Sequence, residues 1–375
     1  MTEAPQLTSD SFQHAQNMSC VITSPDAVSP QWLTQSLRRG KCLPHGRVAR
    51  VHVTSESSYT STIARLTLAY SSDAPSTAPV RLFLKLSRSD SEQRVVGSDQ
   101  RRAEVVFHNQ LATTMPDPPL VRCHDAAYCQ QTGAAHLLFD DVSQTHSPGS
   151  PTLPPAPRQA QSAMDAFARF HAFWWDHRRL GEIDQLPSEE SVAERVANTR
   201  EHFARFTDAA GDRLTHPQRQ VYARSLAALP ALWQRVIPGT HLSLIHGDAN
   251  FSNVLLPHHP DNGRAMIIDW QLYGISFPAE DLAHLIPLFW DREHRQAMER
   301  DLLQRYHQQL IRHAVQDYDW TDCWEDYRRA VVLRALFMPM WFCLSGSPES
   351  WWHACLGRAM QAVDDLHCLE LPETK

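Results

Sequence analysis

Between Leu244 and Leu256 the chain reads LIHGDANFSNVLL: an apolar run leads into His246-Gly247-Asp248, Asn253 follows five residues after Asp248, and a second apolar run begins at Val254. A third run, Ala265 to Ile268, ends in Asp269-Trp270. Strand-like segments therefore present a carboxylate, an amide and a second carboxylate at their ends. Phosphoryl transfer uses that set: one carboxylate orients an attacking hydroxyl and accepts its proton, while an amide oxygen and another carboxylate hold Mg²⁺ against nucleotide phosphates. Magnesium takes hard oxygen ligands and keeps several waters, so two protein ligands suffice. Ordinary turn chemistry offers the other reading, with Asp248 and Asp269 capping turns and Asn253 closing an Asx-type bond. His246, at a strand end, reads as a brace for the loop.

The elements that must place these groups can be traced from the N-terminus. Residues 1–28 are polar and expected to be flexible. Ser29-Pro30 is a helix start, with Trp32, Leu33 and Leu37 on one face and a stop at Gly40. Val48–Thr54, Ile63–Tyr70 and Val80–Leu86 are short β-branched or apolar runs between Ser-rich loops, which predicts an antiparallel sheet. Residues 100–114 have helical spacing, and Ala135–Phe139 reads as another strand. Ser147–Pro157 (SPGSPTLPPAP) is too rich in proline and serine for regular structure and marks a boundary. From Gln159 the pattern is helical to Arg235. It is interrupted by strand, loop, strand, a tight Asp261-Asn262-Gly263 turn and strand over Leu242–Asp269, and is helical again to the end. The predicted fold class is α+β, a small antiparallel β-sheet lobe (29–146) and a larger, mainly helical lobe (147–375), with a cleft between lobes.

Composition narrows the function. A net charge of −7 removes the electrostatic footprint of a nucleic-acid binder. No apolar run reaches the roughly 18 residues of a membrane span, and Met1–Gln16 has neither the basic start nor the apolar stretch of a secretory signal. A cytoplasmic protein with no membrane, nucleic-acid or obligate protein partner is expected. The eight cysteines include no CxxC pair, which suits free thiols better than a disulfide frame or zinc site. Only three of the 35 basic residues are lysines: Lys41, Lys85 and Lys375. In RLFLKLS, Leu82, Leu84 and Leu86 share one strand face and Lys85 shares the other with Arg81 and Phe83. In an arginine-rich chain, a lysine there suggests that a compact ammonium is wanted; a partly exposed strand lysine is the plainer alternative.

The His-Gly-Asp motif with Asn253, the Ile-Asp-Trp run at Asp269-Trp270 and Asp281-Leu282-Ala283 resemble the aminoglycoside phosphotransferase and choline kinase family of protein-kinase-like small-molecule kinases. SPQWLTQSLRRG and Phe167–Trp175 (FARFHAFWW) are most similar to its ecdysteroid-kinase-like branch, and the resemblance spans most of residues 29–345. It implies a two-lobed protein-kinase-like fold with Asp248 as catalytic base, and Asn253 and Asp269 on Mg²⁺. Lys85 would meet the α and β phosphates of ATP, paired with Glu104, the acid of the following helix. A hinge near 139–142 would offer the Asp140 carbonyl and the Val142 N–H to adenine. Ser61 would lie in a phosphate loop that here, over Ser55–Thr62, has no glycine, and Asp281 would hydrogen-bond the catalytic loop. Exposure of Glu104 and a simple strand exit at Asp140 fit the residues as well.

These readings converge on an ATP- and Mg²⁺-dependent phosphotransferase that moves the γ-phosphate to a hydroxyl of a small molecule. A catalytically silent nucleotide-binding regulator of the same fold is the alternative. A protein kinase would show HRD and DFG where this chain has HGD and IDW. Trp270 is the tryptophan expected to line an acceptor pocket for a bulky hydroxylated compound.

Overall fold

Ser29 opens the first helix: its Oγ accepts from the Trp32 N–H at 3.2 Å, Pro30 occupies the first turn, and α1 runs Pro30–Arg39. The computed structural model describes residues 21–57, 61–87, 98–259 and 263–370. Residues 1–20, residues 58–60 of the expected phosphate loop, and Asp261-Asn262 of the expected tight turn lie outside the described residues. A Cβ at Gly40 would collide with the carbonyl oxygen of His124, so α1 can end against the neighbouring strand only with glycine there.

Among the described residues two units are distinguished by their internal contacts, one running from Val21 to His146 together with Ile268–Leu272, the other Ser147–Ile267 and the chain from Tyr273. In the smaller unit β1 (Val48–Ser57), β2 (Ser61–Tyr70), β3 (Arg81–Ser87), β4 (Cys123–Tyr128) and β5 (Ala135–Asp140) form an antiparallel sheet in the order β1-β2-β3-β5-β4. The alternation in β3 sets its faces. Leu82, Leu84 and Leu86 are fully buried and pack with Leu33 and Leu37 of α1 and with Leu66 and Leu138. Each buried leucine contributes about 1.5–3 kcal/mol to that face. Lys85 stands on the opposite face, paired with Ile63 and Leu137.

The helix expected over 100–114 is α2 (Ser98–Val106) followed by a π-helical turn, Phe107–Leu111, and a 3₁₀ turn, Ala112–Thr114. The wider turn leaves Phe107 and His108 both buried. Strand β4 was not marked by the sequence pattern. Its register slips between Cys123 and Asp125, and an irregularity of that kind interrupts the two-residue alternation that identifies a strand.

In the larger unit, α3 (Pro157–Trp174), α4 (Leu180–Ile183), α5 (Glu189–Ala210) and α6 (His216–Trp233) precede the interrupted stretch. The proline-rich boundary is less irregular than expected, since β6 (His146–Pro148) enters a sheet of order β6-β8-β9 with β8 (Val254–Pro257) and β9 (Met266–Ile267). As an edge strand, β6 tolerates the proline that lacks an N–H. Strand β7 (Ser243–Ile245), which leads into His-Gly-Asp, pairs with β10 (Gly274–Ser276). The remainder is helical: α7 (Ala279–Leu285), α8 (Arg292–Arg312), α9 (Trp320–Ala330), α10 (Met338–Leu344) and α11 (Glu349–Asp365). Among the described residues, no helix is long and apolar enough to cross a membrane.

Candidate active site

The smaller unit gathers three of the residues singled out by sequence. Lys85 Nζ donates to Glu104 Oε1 and Oε2 at 2.9 and 2.8 Å and to Asp269 Oδ1 at 2.5 Å. Glu104 therefore faces inward from α2, with its side chain only 4% exposed, while Asp269 keeps 29% exposure. Burial works against the Lys85 ammonium, but the two carboxylates outweigh it and hold the group well above the ordinary lysine range. Asp269 adopts φ 68°, a left-handed conformation unusual for a residue with a Cβ. The Trp270 ring stacks on Phe107 with centroids 4.3 Å apart and fixes this segment against the π-helical turn. His108, in the same turn, is driven down to about 3, first by burial and then by the Lys85 charge, so it is neutral beside the ion cluster.

In the larger unit the His-Gly-Asp loop is held from beneath. Gly247 takes φ 79°, which glycine supplies without strain. The buried Asp281 carboxylate accepts from the N–H groups of His246 and Gly247 at 2.6 and 2.9 Å. Its Oδ2 also lies 3.2 Å from His171 Nε2, and His171 Nδ1 lies 2.9 Å from the Tyr306 hydroxyl. Burial pushes the Asp281 carboxyl up, but these hydrogen bonds and the nearby imidazoles bring it below the usual value. His246 accepts the Asp248 N–H on Nδ1 at 3.2 Å, so it braces the loop. Asn253 Nδ2 donates to the Asp248 carbonyl at 2.9 Å and to Asp248 Oδ2 at 3.1 Å. The amide nitrogen is thereby engaged, and the Asn253 carbonyl oxygen is the end of that side chain suited to a hard cation.

The profile of the ecdysteroid kinase-like family matches residues 55–316. The chain belongs to this family. Its fold is that of the protein-kinase-like small-molecule kinases: a candidate aminoglycoside phosphotransferase from Ralstonia eutropha JMP134 superposes with a TM-score of 0.53 at 12% identity, over 90% of this chain and 98% of that one. An aminoglycoside phosphotransferase from Alicyclobacillus acidocaldarius gives 0.50 at 14% identity, over 84% and 90%. A mutant aminoglycoside 2'-phosphotransferase-IIIa in its GDP complex gives 0.52 at 11% identity, over 90% and 98%. No curated protein matches the chain. Membership places it among kinase-like proteins whose relatives phosphorylate small molecules.

Other expected positions in this ecdysteroid kinase-like chain are occupied as follows. Ser61 begins β2, is buried, and pairs with Ser87 on the Lys85 face of the sheet. Asp140 ends β5 and directs its carboxylate at His124, 2.6 Å away. The Val142 carbonyl accepts from the Thr145 and His146 N–H groups at 3.0 and 2.9 Å, which turns the chain after the expected hinge. Trp270, the tryptophan expected at an acceptor pocket, is fully buried, with its ring stacked on Phe107 where it anchors the Asp269 segment.

Two residues near Asp248 were not marked by the sequence. His284 Nδ1 accepts from Arg334 Nε at 3.2 Å, which leaves the proton on Nε2, and Nε2 is 3.6 Å from Asp248 Oδ1. Burial and the Arg334 charge keep His284 neutral, well below its ordinary value. Arg334 also donates to the Gly247 carbonyl. The signal available for His284 was its position three residues after Asp281 on a helix, which puts both on one face. Among the described residues, no group of three or more His, Cys, Asp or Glu side chains could hold a metal ion.

Proposed function

We propose that this chain is an ATP- and Mg²⁺-dependent phosphotransferase that moves the γ-phosphate of ATP to a hydroxyl of a small molecule. The observation that carries the reading is Lys85 held between Glu104 and Asp269 at 2.5–2.9 Å. A partly buried ammonium in a chain that otherwise mostly uses arginine, fixed by one carboxylate on a helix and another in a strained turn, suits the binding of phosphate oxygens. A fold neighbour that holds GDP supports a nucleotide as the ligand.

In this reading Asp248 accepts the proton of the acceptor hydroxyl as its oxygen attacks phosphorus. Asn253 Nδ2, donating to Oδ2, orients its carboxylate, and the Nε2–H of His284 stands 3.6 Å from Oδ1, placed to close on it when substrate binds. Asp281 holds the two N–H groups that precede Asp248, so the loop does not relax when the carboxylate is protonated. Asp269 and the Asn253 carbonyl oxygen are hard donors of the kind Mg²⁺ takes, with phosphate and water supplying the other ligands. When bound, Mg²⁺ neutralises charge on the transferring phosphoryl group. Lys85 would hold the α and β phosphates, Ser61 the phosphate loop, and the Asp140 carbonyl and Val142 N–H the adenine. ATP as donor fits a cytoplasmic protein.

The test is transfer from γ-labelled ATP to a panel of hydroxylated compounds, including sugars, aminoglycosides, choline, macrolides and steroid alcohols, with and without Mg²⁺. Label in a product, lost on chelation and in Asp248→Ala, is expected. ATP binding with no transfer across the panel would replace this reading with a silent nucleotide-binding regulator. Phosphate release independent of any acceptor would point to a hydrolase.

A further inference from the structure

Beyond α1, where Gly40 and Lys41 turn the chain, Cys42 places its Sγ 3.0 Å from His124 Nδ1. His124 Nε2 is in turn 2.6 Å from Asp140 Oδ1. The three groups come from the end of a helix and two neighbouring strands, and the strand irregularity explains how they meet. His124 lies between Cys123 and Asp125, where the β4 register slips, and such a bulge re-aims a side chain. The imidazole is 1% exposed and Asp140 36%, while Cys42 is half-buried.

Proton placement follows from the partners. A carboxylate at 2.6 Å accepts only, so His124 carries its proton on Nε2 and turns the lone pair of Nδ1 toward the thiol. The single S–H of Cys42 can point to that lone pair or to the Gly40 carbonyl, also 3.0 Å away. Nucleophile, base and orienting carboxylate thus stand in the order that activates a thiol. Burial pushes the Cys42 thiol up, against the nearby Arg122 guanidinium, so the thiol rests protonated and depends on His124 to take its proton. Arg122 beside the sulfur would stabilise the thiolate as it forms. An internal cysteine filling a core gap would need none of this polar set.

We propose that Cys42, His124 and Asp140 form a modification site at which a small hydroperoxide oxidises Cys42 to its sulfenic acid. The sulfur attacks one peroxide oxygen as its proton passes to His124 Nδ1; the S–O bond forms and the O–O bond breaks. The departing hydroxide takes the proton from His124 and leaves as water. Sulfur loses two electrons and the peroxide gains them, so thiol plus hydrogen peroxide gives sulfenic acid plus water. The site uses the carboxylate of Asp140, whereas the nucleotide reading uses its main-chain carbonyl, so the proposal stands apart from phosphoryl transfer.

The experiment is treatment of the full chain with hydrogen peroxide in the presence of dimedone, with the adduct on each cysteine followed by peptide mass spectrometry. In the parent, Cys42 is expected to acquire the adduct, and Cys42→Ser to lose it. His124→Asn should slow the Cys42 adduct about a hundredfold, the lower range of what a positioned base contributes, and Asp140→Asn should slow it by about tenfold. Partly exposed Cys129, measured in the same sample, should be unchanged and reports any general loosening of the fold. No adduct on Cys42 in the parent overturns the proposal. So does an unchanged Cys42 rate in Asp140→Asn, which alters a partly exposed side chain and leaves the buried imidazole in place should His124→Asn fail to fold.

Discussion

Glu104 grips Lys85 with both carboxylate oxygens, at 2.9 and 2.8 Å, so the ammonium of β3 is held by α2 as well as by Asp269. Two consequences separate the roles of the pair. Lys85→Ala should raise the KM for ATP about ten- to a hundredfold, the worth of one or two charge-assisted contacts, in initial-rate measurements. Glu104→Gln retains the lysine but loosens it, and should cost about 1–3 kcal/mol in denaturant unfolding with a smaller rise in KM. The Lys85 group lies above its ordinary 10.5, so its stabilisation is complete below that value and is lost only as pH rises through the higher folded value. The stability difference between parent and Lys85→Ala should therefore be flat across neutral pH; a decline between about pH 6 and 9 would contradict the ion cluster.

Asp281 carries a pH signature of the opposite sense. Its folded value lies below the ordinary 3.8, so its stabilisation is present above 3.8 and lost as pH falls through the lower folded value. Asp281→Asn removes one acceptor from the His246 and Gly247 N–H groups and should lower stability at neutral pH by about 2–4 kcal/mol. Thermal unfolding of parent and variant should differ by a constant amount from neutrality down to about pH 5, and converge below the ordinary carboxylate value. A difference that persists unchanged in acid would mean that the carboxylate charge is not what holds the loop.

The residues legible in the sequence were those whose partners repeat at short range or whose type was rare. Lys85 stood out because leucines alternate around it and lysine is nearly absent from the chain; Asp248 and Asn253 stood out by their spacing between apolar runs. What could not be read was the support brought from distant elements. His171 and Tyr306 lie 110 and 25 residues from Asp281, on helices whose apolar periodicity says only that they pack. Arg334, in a second π-helical turn at Val331–Leu336, reaches Gly247 from 87 residues away. The bulge that aims His124 at Cys42 hid β4 for the same reason that it matters: it breaks the alternation.

Trp270 separates a packing role from a substrate role. Its indole is fully buried on Phe107, so Trp270→Ala should cost about 3–5 kcal/mol in unfolding, as expected for a deleted core aromatic. Because the ring anchors the Asp269 segment, activity should fall through the metal and ATP requirement, with Mg²⁺ titrations shifted to higher concentration and the KM for acceptor little changed. A selective rise in the acceptor KM at unaltered stability would restore Trp270 to the substrate pocket.

His284 and Asp248 are coupled in a way that kinetics can resolve. Asp248→Ala removes the proposed proton acceptor and should lower kcat by about 10²–10⁴ with little change in substrate KM. His284 does not touch the acceptor hydroxyl in this reading; it faces Asp248 Oδ1 at 3.6 Å as a neutral donor whose proton is fixed on Nε2 by Arg334. His284→Gln, which retains an N–H donor, should keep most of the activity, whereas His284→Leu should lower kcat by about tenfold, the loss expected when a polar contact of 3.6 Å, too long for a hydrogen bond here, closes on the carboxylate in the substrate complex. In an Asp248→Ala background the His284→Leu change should have no further effect on kcat, since the carboxylate it orients is gone. Additive losses in the double variant would show that His284 supports the fold around the loop and does not orient the base.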